Sequence, residues 1–273
     1  MADGSDLFGV VAHAYAPLQN LLFTAALASL RMLAAFTLLP PLGDQFINGM
    51  VRNGLVAIIA IYAAFGLPGD AASHLHAMDW AGYAAKEAMI GLLLGFAAST
   101  VFWIAESVGA LIDAQAGFNS VQLSNPLSGQ ESTPVSNLLV QLVVVVFYQL
   151  GGLLVFIGAL FESYRVWPLF SAMPDVAKVE DLFVISQVDS LMTGVVKFAS
   201  PMLLILVLVD LAFGLVTRSA DKLEPSNLSQ PVKGAITMLM LALLMGVLIS
   251  QVKSQLLPTG LLARVQASIG AHR

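Results

Sequence analysis

The stretch Ser132–Phe161 carries no charged side chain. Such a run exceeds the roughly 20 helical residues needed to cross a bilayer core. In a soluble fold it has a place only deep inside a large core. It does not stand alone. Further apolar segments occupy Leu18–Leu39, Gly54–Leu67, Ala88–Ile112, Phe198–Thr217 and Gly234–Val252. Across 273 residues only 11% are charged and 58% are hydrophobic, whereas soluble domains are about 25% charged. An ordinary soluble enzyme and a disordered chain are thereby excluded. A net charge of −5 offers no basic surface for phosphates, so no nucleic-acid partner is expected. Helix is the predicted state, because an open strand would leave backbone groups unpaired in lipid. The runs are also continuous, unlike the alternating segments of a membrane barrel. The expected fold class is all-α, either a polytopic membrane protein or an equally apolar part of an assembly.

The connections sort poorly. With six spans and the N-terminus inside, seven loop cations fall inside and four outside. If Gly54–Leu67 does not cross and the N-terminus is outside, eight fall inside and three outside. Neither arrangement is clean, which points to apolar segments that do not all face lipid. The N-terminal MADGSDLFGVV has no basic residue, so no cleaved signal peptide is expected. Cysteine is absent, which removes disulfides, thiolate nucleophiles and cysteine-ligated metals.

A few polar residues break the apolar pattern. Arg31 lies within the first segment, where a charge is expensive and normally faces protein or water. It is either a structural cation held by an acid or by carbonyls, or a functional one in a pore or interface. In the third segment Gly91, Gly95, Ser99, Phe102, Glu106, Gly109 and Asp113 recur at spacings of three and four, which places them on one helix face. Its small residues allow close helix packing, within the chain or against another subunit. Glu106 and Asp113 read either as a proton relay or as a polar helix end entering a wet loop. Asp210 is a second charge expected to be buried, in the fifth segment.

The loop Asp113–Thr133 is rich in Gly, Asn, Ser and Gln, and no cation occurs between Lys86 and Arg165. Irregular backbone beside two apolar stretches lines a cavity or lies outside the membrane; both readings stand on the residues alone. His74 and His76 have no third clustered ligand, so no metal site is expected. No nucleotide-binding loop, nucleophile elbow or cofactor motif is present, and no cofactor or catalytic residue is assigned.

Several motifs together resemble a known family. KEAMIGLLLGF (Lys86–Phe96) and FWIAESVGALIDAQAGFNSVQLSNPLSGQES (Phe102–Ser132) are similar to the T component of the bacterial type III secretion export apparatus, SctT, whose flagellar counterpart is FliR. GGLLVFIGALFESYRVWP (Gly151–Pro168), SPMLLILVLVDLAFGLVTR (Ser200–Arg218), PVKG (Pro231–Gly234) and RNGLVAIIAIY (Arg52–Tyr62) fit as well. The likeness runs from about Leu18 to about Pro258, and the ID-x-Q-x-G, NP-x-SG and FW-x-x-E elements favour the injectisome branch. One departure is SADKLEPSNLSQ (Ser219–Gln230), where the family tends to carry a more apolar linker.

The resemblance implies a non-enzymatic subunit of slanted helical hairpins. It would join R and S components in a pseudo-helical, hetero-oligomeric gate at the bacterial inner membrane, largely toward the periplasmic side, with a U component docked on it. The cargo would be unfolded secreted protein. The family's plug maps onto Asp113–Thr133. Asp113 and Gln115 would anchor its start, and Gly117, Asn119, Asn125, Pro126 and Gly129 would set its shape. Gly91, Gly95, Ser99, Glu106 and Gly109 are expected at helix or subunit contacts. A secondary transporter of small solutes is the competing reading, with Arg31, Glu106, Asp113, Lys197 and Asp210 as coupling residues.

Overall fold

The computed structural model describes residues 4–67, 77–118, 123–124, 131–171, 184–219 and 225–256. Their helices are α1 (Gly4–Leu38), α2 (Gly49–Phe65), α3 (Ala77–Ala116), α4 (Pro134–Gln149), α5 (Gly152–Val166), α6 (Ile185–Ser219) and α7 (Pro225–Leu256). A short 3-10 turn at Pro40–Leu42 ends the first helix. The fold among the described residues is all-α, apart from an antiparallel ladder of two residues a side, Leu123–Ser124 with Glu131–Ser132. Four helices are long and apolar enough to cross a membrane, with a fifth span if α4 and α5 count together. Helix α2, at 17 residues, is shorter.

The uncharged stretch that reads as one segment is interrupted at Leu150–Gly151. Gly151 adopts φ +70°, a left-handed conformation that costs glycine little and other residues more. The Gly-Gly pair at 151–152 therefore ends α4 and allows α5 to restart.

The chain divides into two compact units. The first comprises Met1–Ala98 and Phe156–Glu180. Here α1 packs along α2, burying Leu27, Ala28, Met32, Ala35 and Phe36 from one helix and Val56, Ala60, Ala63 and Ala64 from the other. Asn48 caps α2, its side chain accepting the Met50 N–H at 3.0 Å. The early part of α3 lies against α1 through Gly91 and Gly95. A methyl at Gly95 would sit 2.8 Å from the Ala35 carbonyl oxygen, and one at Gly91 would overlap the Arg31 carbonyl. Small residues thus set the helix separation. From α5, Phe156 stacks on Phe36 with ring centroids 5.9 Å apart, and the Tyr164 hydroxyl donates to the Ala28 carbonyl at 2.9 Å.

The second unit comprises Ser99–Val155 and Asp181–Arg273. The later part of α3 packs on α4 through Phe102 and Phe147, whose centroids are 5.5 Å apart, and through Gly109, which the backbone of Ser136 covers. Gly194 of α6 admits the Ile104 side chain, which a methyl there would meet at 2.6 Å. Helix α7 packs on both α6 and α4. The apolar faces of α6 and α7 stay largely uncovered within the chain. Only 17% and 12% of their most apolar stretches are buried, against 56% for α3.

Candidate functional site

The second unit places the start of the 113–133 loop in a set of polar contacts. Asp113 is fully buried in the last turns of α3. Its carboxylate accepts from the backbone N–H of Val135 at 3.0 Å and of Ser136 at 3.0 Å. Those amides belong to the first turn of α4, whose leading N–H groups have no partner within the helix. Thr133 occupies the ordinary capping position, yet its hydroxyl makes no capping bond. Asp113 therefore caps α4 from another helix. A negative charge at a helix N-terminus is favourable, and hydrogen bonds to a charged group contribute about 1.5–3 kcal/mol. The Ser136 hydroxyl donates back to the Glu106 carbonyl at 3.0 Å. Both ends of the loop are thus pinned at one point. Asp113 read as a relay or as a polar helix end entering a wet loop; its place is at a helix end, but fully buried against the amides of α4.

Beyond Asp113, the end of α3 meets α6 and α7. The Gln115 side-chain amide donates to the Asp210 carboxylate at 2.9 Å. Lys233 of α7 pairs with Asp210 and also donates to the Gln115 carbonyl at 3.2 Å. Gln230 reaches the Gly117 carbonyl at 3.5 Å. Gly117 takes φ +83°, turning the chain out of α3. Asp210, expected as a buried charge, keeps 41% of its side chain exposed. The correction has a simple cause: α6 presents Asp210 where Lys233, one residue before an uncharged stretch, can reach it, so the pair needs no burial in the core. Asn119, Asn125, Pro126 and Gly129 lie outside the described residues, as do His74 and His76.

The small stripe residues serve the interior. Gly91 and Gly95 meet α1, Gly109 meets α4, and Ser99 is buried. The Glu106 side chain is exposed, and only its carbonyl enters a described contact. No cluster of His, Cys, Asp and Glu suited to a metal ion occurs among the described residues.

In the first unit Arg31 is fully buried and forms a fork with Glu87, Nε to Oε2 at 2.7 Å and an Nη to Oε1 at 2.9 Å. It also donates to the Ser163 hydroxyl at 2.8 Å and the Trp167 carbonyl at 3.0 Å, and stacks 4.0 Å from the Tyr164 ring centroid. Lys86 lies 3.2 Å from Glu87 and donates to the carbonyls of Pro168 and Leu169 at 2.8 and 2.6 Å. Two cations from α1 and α3 thus satisfy carbonyls just past the end of α5, where the helix dipole favours positive charge. Arg31 read as a structural cation or as a functional one in a pore or interface, and its acid, Glu87, lies 56 residues away. The hint was the adjacent Lys86 and Glu87 ahead of an apolar run.

Residues 22–258 match the family model described as bacterial export proteins, family 1. The chain is 32% identical over 227 residues to the Yop proteins translocation protein T of Yersinia pestis, covering 83% of this chain and 87% of that protein. It is 28% identical over 230 residues to the surface presentation of antigens protein SpaR of Salmonella typhimurium, covering 84% and 85%. The flagellar biosynthetic protein FliR of Bacillus subtilis is 23% identical over 231 residues, covering 84% and 88%. These relatives, together with the apolar helices, make the chain a component of bacterial protein-export machinery with several membrane-type helices. With the match spanning most of its length, the chain belongs to the bacterial export proteins, family 1.

Proposed function

We propose that the protein is a gate subunit of a type III export apparatus. It forms and seals the mouth of the channel that admits unfolded proteins across the bacterial inner membrane. The plug is the 113–133 loop. The observation that carries this reading is the double pinning by Asp113, which holds both ends of an irregular, cation-free segment at one buried point. A segment held at its root and rich in Gly, Asn and Ser, residues of low helix propensity, opens at low cost and returns to the same place. The lack of cations along its length also avoids trapping acidic stretches of cargo.

The uncovered apolar faces of α6 and α7 support burial by R and S components as well as by lipid, with the U component docking on the assembly. The slanted gate then sits largely toward the periplasmic side, which accounts for the unsorted loop cations. The gate role needs no catalytic residue. A solute transporter built on Arg31 and Asp113 is less favoured, because Arg31 is committed to Glu87 and Asp113 to two backbone amides. Deleting Ala116–Gln130 in the assembled apparatus is expected to raise the leak of small ions across the inner membrane. An unchanged leak in a complex that still assembles rejects the plug assignment.

A further inference from the structure

We propose that Lys233 and Asp210 tie the C-terminal end of α3 to the α6–α7 pair, so that this end loosens when α7 moves. The consequence for gating rests on the plug reading above, while the tie itself stands on its contacts.

Three observations carry it. First, α3 has no basic residue in its own last turn. Its final carbonyls lack helix partners and favour a nearby cation. Lys233 supplies that cation from another helix, donating to the Gln115 carbonyl at 3.2 Å. Second, the contact closes into a ring. Lys233 pairs with Asp210, and Asp210 accepts from the Gln115 side chain at 2.9 Å. Asp210 lies about two turns before the end of α6, and Lys233 about two turns after the start of α7. One ring therefore joins α3, α6 and α7. Third, it is open to solvent on its Asp210 side, with the Asp210 side chain 41% and the Lys233 side chain 12% exposed. A partly solvated ion pair is a weak brace, which suits a joint that must release.

The reading separates from simple bracing of α6 on α7. Exchanging the charges, Asp210→Lys with Lys233→Asp, re-forms an opposite-charge pair between the same helices. It also sets a carboxylate against the Gln115 carbonyl. The brace survives and the tie does not. Lys233→Arg keeps both the charge and the donors.

The test is amide hydrogen exchange on the full chain in its membrane complex, read on the peptide spanning residues 111–118. Lys233→Met is expected to raise exchange there about tenfold and Lys233→Arg less than about twofold, with the α1–α2 peptides unchanged. The charge exchange is expected to leave the rate raised. Wild-type exchange in Lys233→Met overturns the proposal, as does full recovery in the charge-exchanged pair. If Lys233→Met fails to accumulate, Gln115→Leu removes one arm of the ring alone. Raised exchange in that variant supports the tie and unchanged exchange refutes it. An ion leak on loop deletion with unaltered exchange in Lys233→Met rejects the tie and keeps the plug. Raised exchange without a leak on deletion rejects the plug and keeps the tie.

Discussion

Replacing Glu87 with Leu removes the carboxylate that both Arg31 and Lys86 contact. Arg31 and Glu87 are each 0% exposed, so neither guanidinium nor ammonium can recover the loss from water. Removing one partner of a buried pair costs about 3–5 kcal/mol, because an uncompensated charge stays behind. At about 1.4 kcal/mol per tenfold, even the lower figure shifts the folded-to-unfolded ratio more than a hundredfold. Arg31→Met is expected to cost less, about 1–3 kcal/mol, because Glu87 keeps Lys86 while the Trp167 carbonyl loses its donor.

The double variant Arg31→Met with Glu87→Leu differs in kind. Both charges leave together, and apolar side chains of similar length fill the space. Lys86 keeps its bonds to Pro168 and Leu169, and Ser163 keeps its 2.6 Å bond to the Leu160 carbonyl. The Trp167 carbonyl goes short, which costs about 1–3 kcal/mol, and Lys86 keeps its carbonyl partners but loses Glu87. The double variant is therefore expected to be more stable than Glu87→Leu alone, because it leaves one buried cation without its acid instead of two. Denaturant midpoints of the purified protein in mixed micelles measure all four corners of the cycle. Additive losses, with the double variant the least stable, would refute the assignment of Arg31 and Glu87 as one buried unit.

Two further outcomes follow from packing and capping. Gly91→Ala drives a methyl into the Arg31 carbonyl and is expected to abolish accumulation of folded protein, whereas Gly82→Ala, with open space around it, is expected to be neutral or to stabilise by up to about 1 kcal/mol; membrane levels and thermal midpoints compare them. Asp113→Ala uncaps α4 at Val135 and Ser136 and is expected to cost about 2–3 kcal/mol, with faster amide exchange in the first turn of α4 as its local signature.

The helices were legible because an apolar run in lipid has one way to satisfy its backbone. The Gly91–Gly95 stripe was legible as a packing face because its period is that of a helix, though not the identity of its partner, α1. Contacts between distant helices left no trace in local spacing. Arg31 announced that it needed a partner, but Glu87 became that partner only through folding. Asp113 looked like a helix end approaching a wet loop and is a fully buried cap, since amides of α4 take the place of the cation that the sequence lacked. Lys233 stood in the PVKG motif with no role assigned, and Asp210 read as a buried acid; only the approach of α6 and α7 makes them a pair. The interruption at Leu150–Gly151 was written as two glycines inside a run whose lack of charge masked them.

The cap that Asp113 provides has a geometric corollary. Between Gly117 and Thr133 the chain leaves one place and returns to it, with both ends fastened there. Since extended backbone spans about 3.4 Å per residue, its midpoint can stray no farther than about 30 Å from the root. On the plug reading proposed above, a passing polypeptide can push the segment aside but cannot carry it off. While Asp113 holds, its farthest position is set by chain length and not by the size of what goes through.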